Sequence, residues 1–245
     1  MLGETSKPVP HPPRGKRSGV RTVLAVGPHP DDIEIGVGGT VLTLLAVGHE
    51  VHFLDMTNGE PTPKGDPETR AREMAAAAGV LGTASRTTLD LPNRYVMDTI
   101  EARTKVAEVI RRIRPDLLLV PYWIDAHPDH VATSHLCDAA RFYAKLTKTD
   151  MAGQPWYPSK ILYYLCSHLR IAFPASFIVD VSDHFDRKIE ALRCYPSQFE
   201  RDGDWPVIDL MTRYAAYFGA LIGADYGEPL ISREPIGVTD IRDII

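Results

Sequence analysis

Thr22-Val23-Leu24-Ala25-Val26-Gly27-Pro28-His29-Pro30-Asp31-Asp32 is followed by Ile33-Glu34-Ile35-Gly36-Val37-Gly38-Gly39 and then by an apolar run over residues 41–47. The apolar residues 23–26 stop at Gly27-Pro28. The pattern reads as a buried strand, a tight turn and the opening of a helix, with one imidazole and two carboxylates at the strand's C-terminal end. In open α/β sheets, ligands bind in the crevice outside that end. Pro28 and Pro30 restrict the turn's backbone and would hold its short side chains in place. The loop is therefore expected to hold a metal ion and a catalytic base.

The rest of the chain supplies the layers that such a loop needs. Residues 50–56 read as a second strand, and 57–65 as a Pro/Gly-rich loop near the active face. Asp66 is an N-cap with Pro67 at the first helical position, and the helix runs to Leu81 and stops at Gly82. Residues 87–91 form a third strand that ends at Pro92-Asn93-Arg94. Asp98 and Glu101 form a capping box for a helix through Ile113, with Pro115 at its exit. Residues 116–120 are a fourth strand, and the pattern turns helical again over 131–146. Further on, 156–159 is a connector, 160–166 and 177–181 are strands, and Ser182 or Asp183 caps a helix through Tyr195. Another helix spans 205–222, and the tail with Pro229 and Pro235 is irregular. The β-α alternation predicts an α/β fold: a Rossmann-like, mostly parallel sheet with helices on both faces. Strand C-termini then share one edge, so the loops after Val26 and after Val120 should meet there.

The 245 residues, 44% apolar and 24% charged, suffice for one domain with a real core. A net charge of −5 gives no nucleic-acid footprint. No 18-residue apolar run exists, so no membrane span is expected. Residues 1–20 form a basic, Pro-rich leader without the apolar region of a signal peptide. They are expected to be a flexible arm of a cytoplasmic protein, with the domain over 21–245. Cys137, Cys166 and Cys194 form no CxxC pair and read as small buried hydrophobes.

The two loops bring a specific set of groups together. The first offers His29, Asp31 and Asp32; the second, Pro121-Tyr122-Trp123-Ile124-Asp125-Ala126-His127-Pro128-Asp129-His130, offers His127, Asp129 and His130. Catalytic zinc takes three protein ligands from imidazoles and carboxylates and keeps a position for water. His29, Asp32 and His130 would supply them, leaving Asp31 free as a base. His127 could hydrogen-bond an oxyanion on the substrate carbonyl or protonate a leaving amine, and Asp129 could orient an imidazole. One such spacing alone is usually a turn in which Asp accepts backbone hydrogen bonds. Two of them at the ends of two parallel strands point to a site. His49, His52, His135, His168 and His184 read as surface or structural residues. The glycines at 36, 38 and 39 lack the GxGxxG spacing and read as sites of close approach beneath the loop.

Pro-His-Pro-Asp-Asp at 28–32 together with His-Pro-Asp-His at 127–130 resembles the PIG-L/LmbE-like family of zinc-dependent N-acetylglucosaminyl deacetylases, over roughly residues 21–238. The stretches at 68–73, 89–94, 188–193 and 197–199 are most similar to the branch that deacetylates N-acetylglucosaminyl-malate in bacillithiol biosynthesis. The resemblance implies zinc (Zn2+, one per chain) on His29, Asp32 and His130, Asp31 as general base, His127 at the amide and Asp129 as a supporting carboxylate. It also implies sugar contacts from Arg70 and Asn93, an amino-sugar substrate and a homo-oligomer, with a hexamer as the suggested form. Asn93 stands where many members carry Asp, and Ala126 where that branch carries Arg. A deacetylase of another N-acetyl-amino-sugar conjugate or a metal-dependent phosphoesterase is the alternative. The phosphoesterase would need a second metal roughly 3.5–4 Å from the first. Two imidazoles and a carboxylate also suit non-haem iron, and a metal-free binding module is the non-enzymatic reading.

Overall fold

The computed structural model describes residues 19–165, 168 and 170–238. Most of the basic leader, Cys166 and the last seven residues lie outside the described residues. The chain alternates β1 (Thr22–Gly27), α1 (Asp32–Ala46), β2 (Glu50–Asp55), α2 (Pro67–Leu81), β3 (Ser85–Thr88), α3 (Ile100–Ile113), β4 (Leu117–Pro121) and α4 (Pro128–Ala144). It continues with β5 (Lys160–Tyr164), β6 (Phe177–Asp180), a 3-10 turn (Ser182–His184), α5 (Phe185–Arg193), α6 (Pro196–Phe199), α7 (Pro206–Ala220) and β7 (Gly227–Ile231). The sheet order is β3-β2-β1-β4-β5-β7-β6. The first five strands in that order run parallel, and β7 runs antiparallel to both of its neighbours. β1 lies between β2 and β4, so the chain leaves it toward one side and returns on the other. That reversal opens a crevice at the strands' C-terminal edge.

The period of two in β1 builds both cores. Leu24 and Val26 pack with Leu118, Val120, Ala107 and Ala140 on one face. Val23 and Ala25 pack with Val37, Val41, Phe53 and Leu119 on the other. A strand covered on both faces reads as a continuous apolar run, as residues 23–26 do. Local chemistry sets α2 as expected: the Asp66 carboxylate accepts from Thr69 N–H at 2.8 Å, and Gly82 closes the helix at φ 82°. Among the described residues, no helix is long and apolar enough to cross a membrane.

Several expected boundaries move. β3 begins at Ser85, two residues before the expected start, where residues 85–88 reach the edge of β2. Thr99 caps α3, its hydroxyl accepting from Ala102 N–H at 3.1 Å, while Asp98 forms an ion pair with Arg103 at 2.6 Å. α4 begins at Pro128, because His127 takes the cap. The tail is not irregular. Residues 227–231 form β7, entirely buried between β5 and β6, with Pro229 facing Ile178.

β7 also repairs α1. The helix is broken at Val37 (φ −142°), where Gly36 packs so closely that a Cβ would lie 2.3 Å from Tyr164 Cδ2. Beyond the break, Gly39 N–H and Thr40 N–H donate to the Glu228 carboxylate at 2.9 and 2.6 Å. Lys188 Nζ pairs with Glu228 at 2.6 Å and donates to Ile35 O at 2.8 Å. One buried ion pair thus satisfies both sides of the interruption. Glu228→Ala should lower unfolding free energy by roughly 3–5 kcal/mol in urea titration, because it strands a buried ammonium. A loss below about 1 kcal/mol would contradict this account.

Candidate metal and catalytic site

At the crevice, the loop after β1 turns two adjacent aspartates in different directions. Asp31 is the N-cap residue of α1 at φ 117°, in the left-handed region unusual for a residue with a side chain. Its carboxylate makes no capping bond and instead accepts from Arg70 Nη1 at 3.0 Å. Arg70 is buried and also meets Glu60, at 3.5 Å. Asp32 faces the other way. Its Oδ2 accepts from His29 N–H at 3.0 Å, and lies 3.0 Å from His29 Nδ1 and 3.3 Å from His130 Nε2.

The second nitrogen of each imidazole is backed by another carboxylate. His29 Nε2 lies 3.1 Å from Asp129 Oδ2, and His130 Nδ1 lies 3.3 Å from Asp125 Oδ2. His29, Asp32 and His130 are all buried, and their ligand atoms lie within 4.8 Å of one another. Two imidazoles, each turned toward a shared carboxylate with one nitrogen and anchored with the other, suit a zinc site. His29, His127 and Asp129 form a second cluster within the same distance. Asp129 does more than hold a histidine, since it also accepts from Arg94 N–H at 2.7 Å and Val96 N–H at 3.2 Å. It thereby draws the Asn93 turn to the crevice. Asn93 is half-buried there, and among the described residues its side chain makes no hydrogen bond.

His127 caps α4, with Nδ1 accepting from Asp129 N–H at 3.2 Å, and its ring stacks on His130 at 4.9 Å. Burial, with the neighbouring His130 and His29, pushes its pKa down to about 4. A neutral ring with Nδ1 accepting must carry its proton on Nε2. Burial raises Asp31 to about 7 against the pull of Arg70. Asp32 behaves oppositely: burial opposes its charge, but His130 and His29 outweigh it and hold the carboxylate well below the ordinary range. Burial likewise opposes charge on His29, yet the bonds to Asp129 and Asp32 raise it to about 9.

Three groups here escaped the sequence reading. Asp125 and Glu60 carried no role, although an Asp two residues before a helix cap is a visible turn signal; Asp125 Oδ1 accepts from His127 N–H at 2.8 Å. His168, expected to be a surface or structural residue, is exposed, but it stands at the cluster. Its ring lies 5.3 Å from that of His127 and 5.0 Å from that of His130.

A doubly covered α/β sheet with a buried His/Asp cluster at its switch point defines a candidate metal-site protein. A family model described as GlcNAc-PI de-N-acetylase, PIG-L, matches residues 24–141. Diacetylchitobiose deacetylase of Thermococcus kodakarensis is 31% identical over 225 residues, covering 85% of this chain and 82% of that one. The crystal structure of the conserved protein TT1542 from Thermus thermophilus superposes with TM-score 0.83 at 36% identity, over 90% of this chain and 98% of that one. N,N'-diacetylchitobiose deacetylase from Pyrococcus horikoshii, complexed with its inhibitor MPG, gives TM-score 0.76 at 27% identity, over 92% and 89%. The chain belongs to the PIG-L/LmbE-like family.

Asp129→Ala removes the partner of His29 Nε2 and should weaken zinc binding about 10–100-fold in chelator competition. Unchanged affinity would show that Asp129 serves only the Asn93 turn.

Proposed function

We propose that the protein hydrolyses the acetamide of a GlcNAc-containing small molecule, with zinc held by His29, Asp32 and His130. The observation that carries this reading is the divergence of Asp31 from Asp32. One carboxylate belongs to the cluster of imidazoles, and the other is withheld from its own helix and kept beside that cluster. When bound, zinc supplies Lewis acidity that makes water nucleophilic near neutral pH.

The remaining work falls to the chain. Asp31 accepts a proton from the attacking water, and burial, which raises its pKa to about 7, suits it both to hold and to release that proton. As the C–O bond forms, the carbonyl oxygen becomes an oxyanion. His127 donates to it from Nε2–H, the tautomer that its cap bond selects. Protonating the amine from His127 would require an imidazolium, whose Nδ1–H would face the Asp129 N–H that now donates to it. The C–N bond therefore breaks with the proton passing from Asp31 to nitrogen, giving acetate and a free amine. Arg70 holds Asp31 in place and, with Asn93, borders the sugar. Asp129 fixes His29 and the Asn93 turn.

The finer reading is a GlcNAc-malate-like conjugate as substrate for a cytoplasmic homo-oligomer, supported by the similarity of the stretches at 68–73 and 89–94. Diacetylchitobiose, the substrate in the name of the Thermococcus relative, is the main rival. Amine release from GlcNAc, GlcNAc-malate, GlcNAc-inositol and diacetylchitobiose should be fastest for GlcNAc-malate, and equal rates would remove the finer reading. Asp31→Asn should keep its zinc and lose about 10²–10⁴-fold in kcat, read as acetate release alongside metal content. Full activity in that variant would overturn the assignment of the base.

A further inference from the structure

His168 follows β5, the strand beside β4, and β5 runs parallel to β4. The chain therefore brings His168 to the same sheet edge as the loops after β1 and β4. The four imidazoles there differ in how their nitrogens are used. His29 and His130 are each backed by carboxylates, and His127 is backed by a backbone amide. Among the described residues, no hydrogen bond holds the His168 ring, and the residue lies on the exposed side of the cluster. It belongs to neither group whose geometry suits a metal.

With their centroids 5.3 Å apart and their planes inclined at 53°, the rings of His127 and His168 can both turn an N–H toward one atom between them. Donors that stabilise an oxyanion need to reach about 2.7–3.1 Å from the developing charge. We infer that His168 is a second hydrogen-bond donor to the amide carbonyl oxygen, a catalytic residue that shares the oxyanion with His127. The inference rests on the deacetylase reading. No bond to carbon or nitrogen changes through His168, and its N–H only donates.

The test uses the full chain loaded with zinc. His168→Ala should lose about 10²-fold in kcat with KM little changed and zinc content intact, and His168→Gln, which retains an N–H donor, should recover part of the loss. Methylphosphonate, which presents anionic oxygens on a tetrahedral centre, should bind His168→Ala at least about tenfold more weakly in calorimetry. Full kcat in His168→Ala, a change confined to KM, lost zinc, or unaltered methylphosphonate binding would each overturn the inference. If the unmodified enzyme releases no acetate, the deacetylase reading itself fails. The methylphosphonate comparison still decides whether His168 serves an anionic oxygen.

Discussion

His29 stands between two carboxylates, with Asp32 at Nδ1 and Asp129 at Nε2. The first belongs to the loop after β1 and the second to the start of α4. This one ring therefore joins the two halves of the crevice. Asp129 extends the connection to a third loop through Arg94 N–H and Val96 N–H. His29, Asp32 and Asp129 are buried, so each needs its partner. Both candidate ligand histidines are oriented from behind by carboxylates before any metal arrives.

The scaffold beneath carries a cost that is met elsewhere in the chain. Close packing of Gly36 on Tyr164 lets α1 approach the sheet, and the helix breaks just beyond it at Val37. Glu228 and Lys188, from β7 and α5, supply the bonds that the helix lacks. A second buried pairing locks the same helix to the strands: Arg86 of β3 meets Asp55 and Glu34, both at 2.6 Å. The helix that follows the loop of His29, Asp31 and Asp32 is thus tied to β3 on one side and to β7 and α5 on the other.

What the sequence revealed follows from how local each signal is. The helix from Asp66 to Gly82 was legible because its cap, its proline and its terminal glycine lie within the segment. The pairing of the two polar loops was legible because a parallel sheet forces strand ends together. β7 was hidden, since Pro229 and Glu228 oppose a strand when read alone and make sense only against Gly39 and Lys188. Asp98 drew the cap away from Thr99 because both residues suit that role, and the Arg103 ion pair decides between them. His168 had no motif around it, and only the position of β5 beside β4 brings it to the crevice. The divergence of Asp31 from Asp32 rests on a backbone angle that no residue type announces.

In the proposed function, one metal sits among His29 Nδ1, the Asp32 carboxylate and His130 Nε2, with Asp31 outside its coordination. Anomalous diffraction at the zinc edge, on crystals of the zinc-loaded protein, tests it directly. The account predicts a single strong peak about 2.0–2.2 Å from those three donors. A peak among His29, His127 and Asp129, or one bound by Asp31, would contradict it.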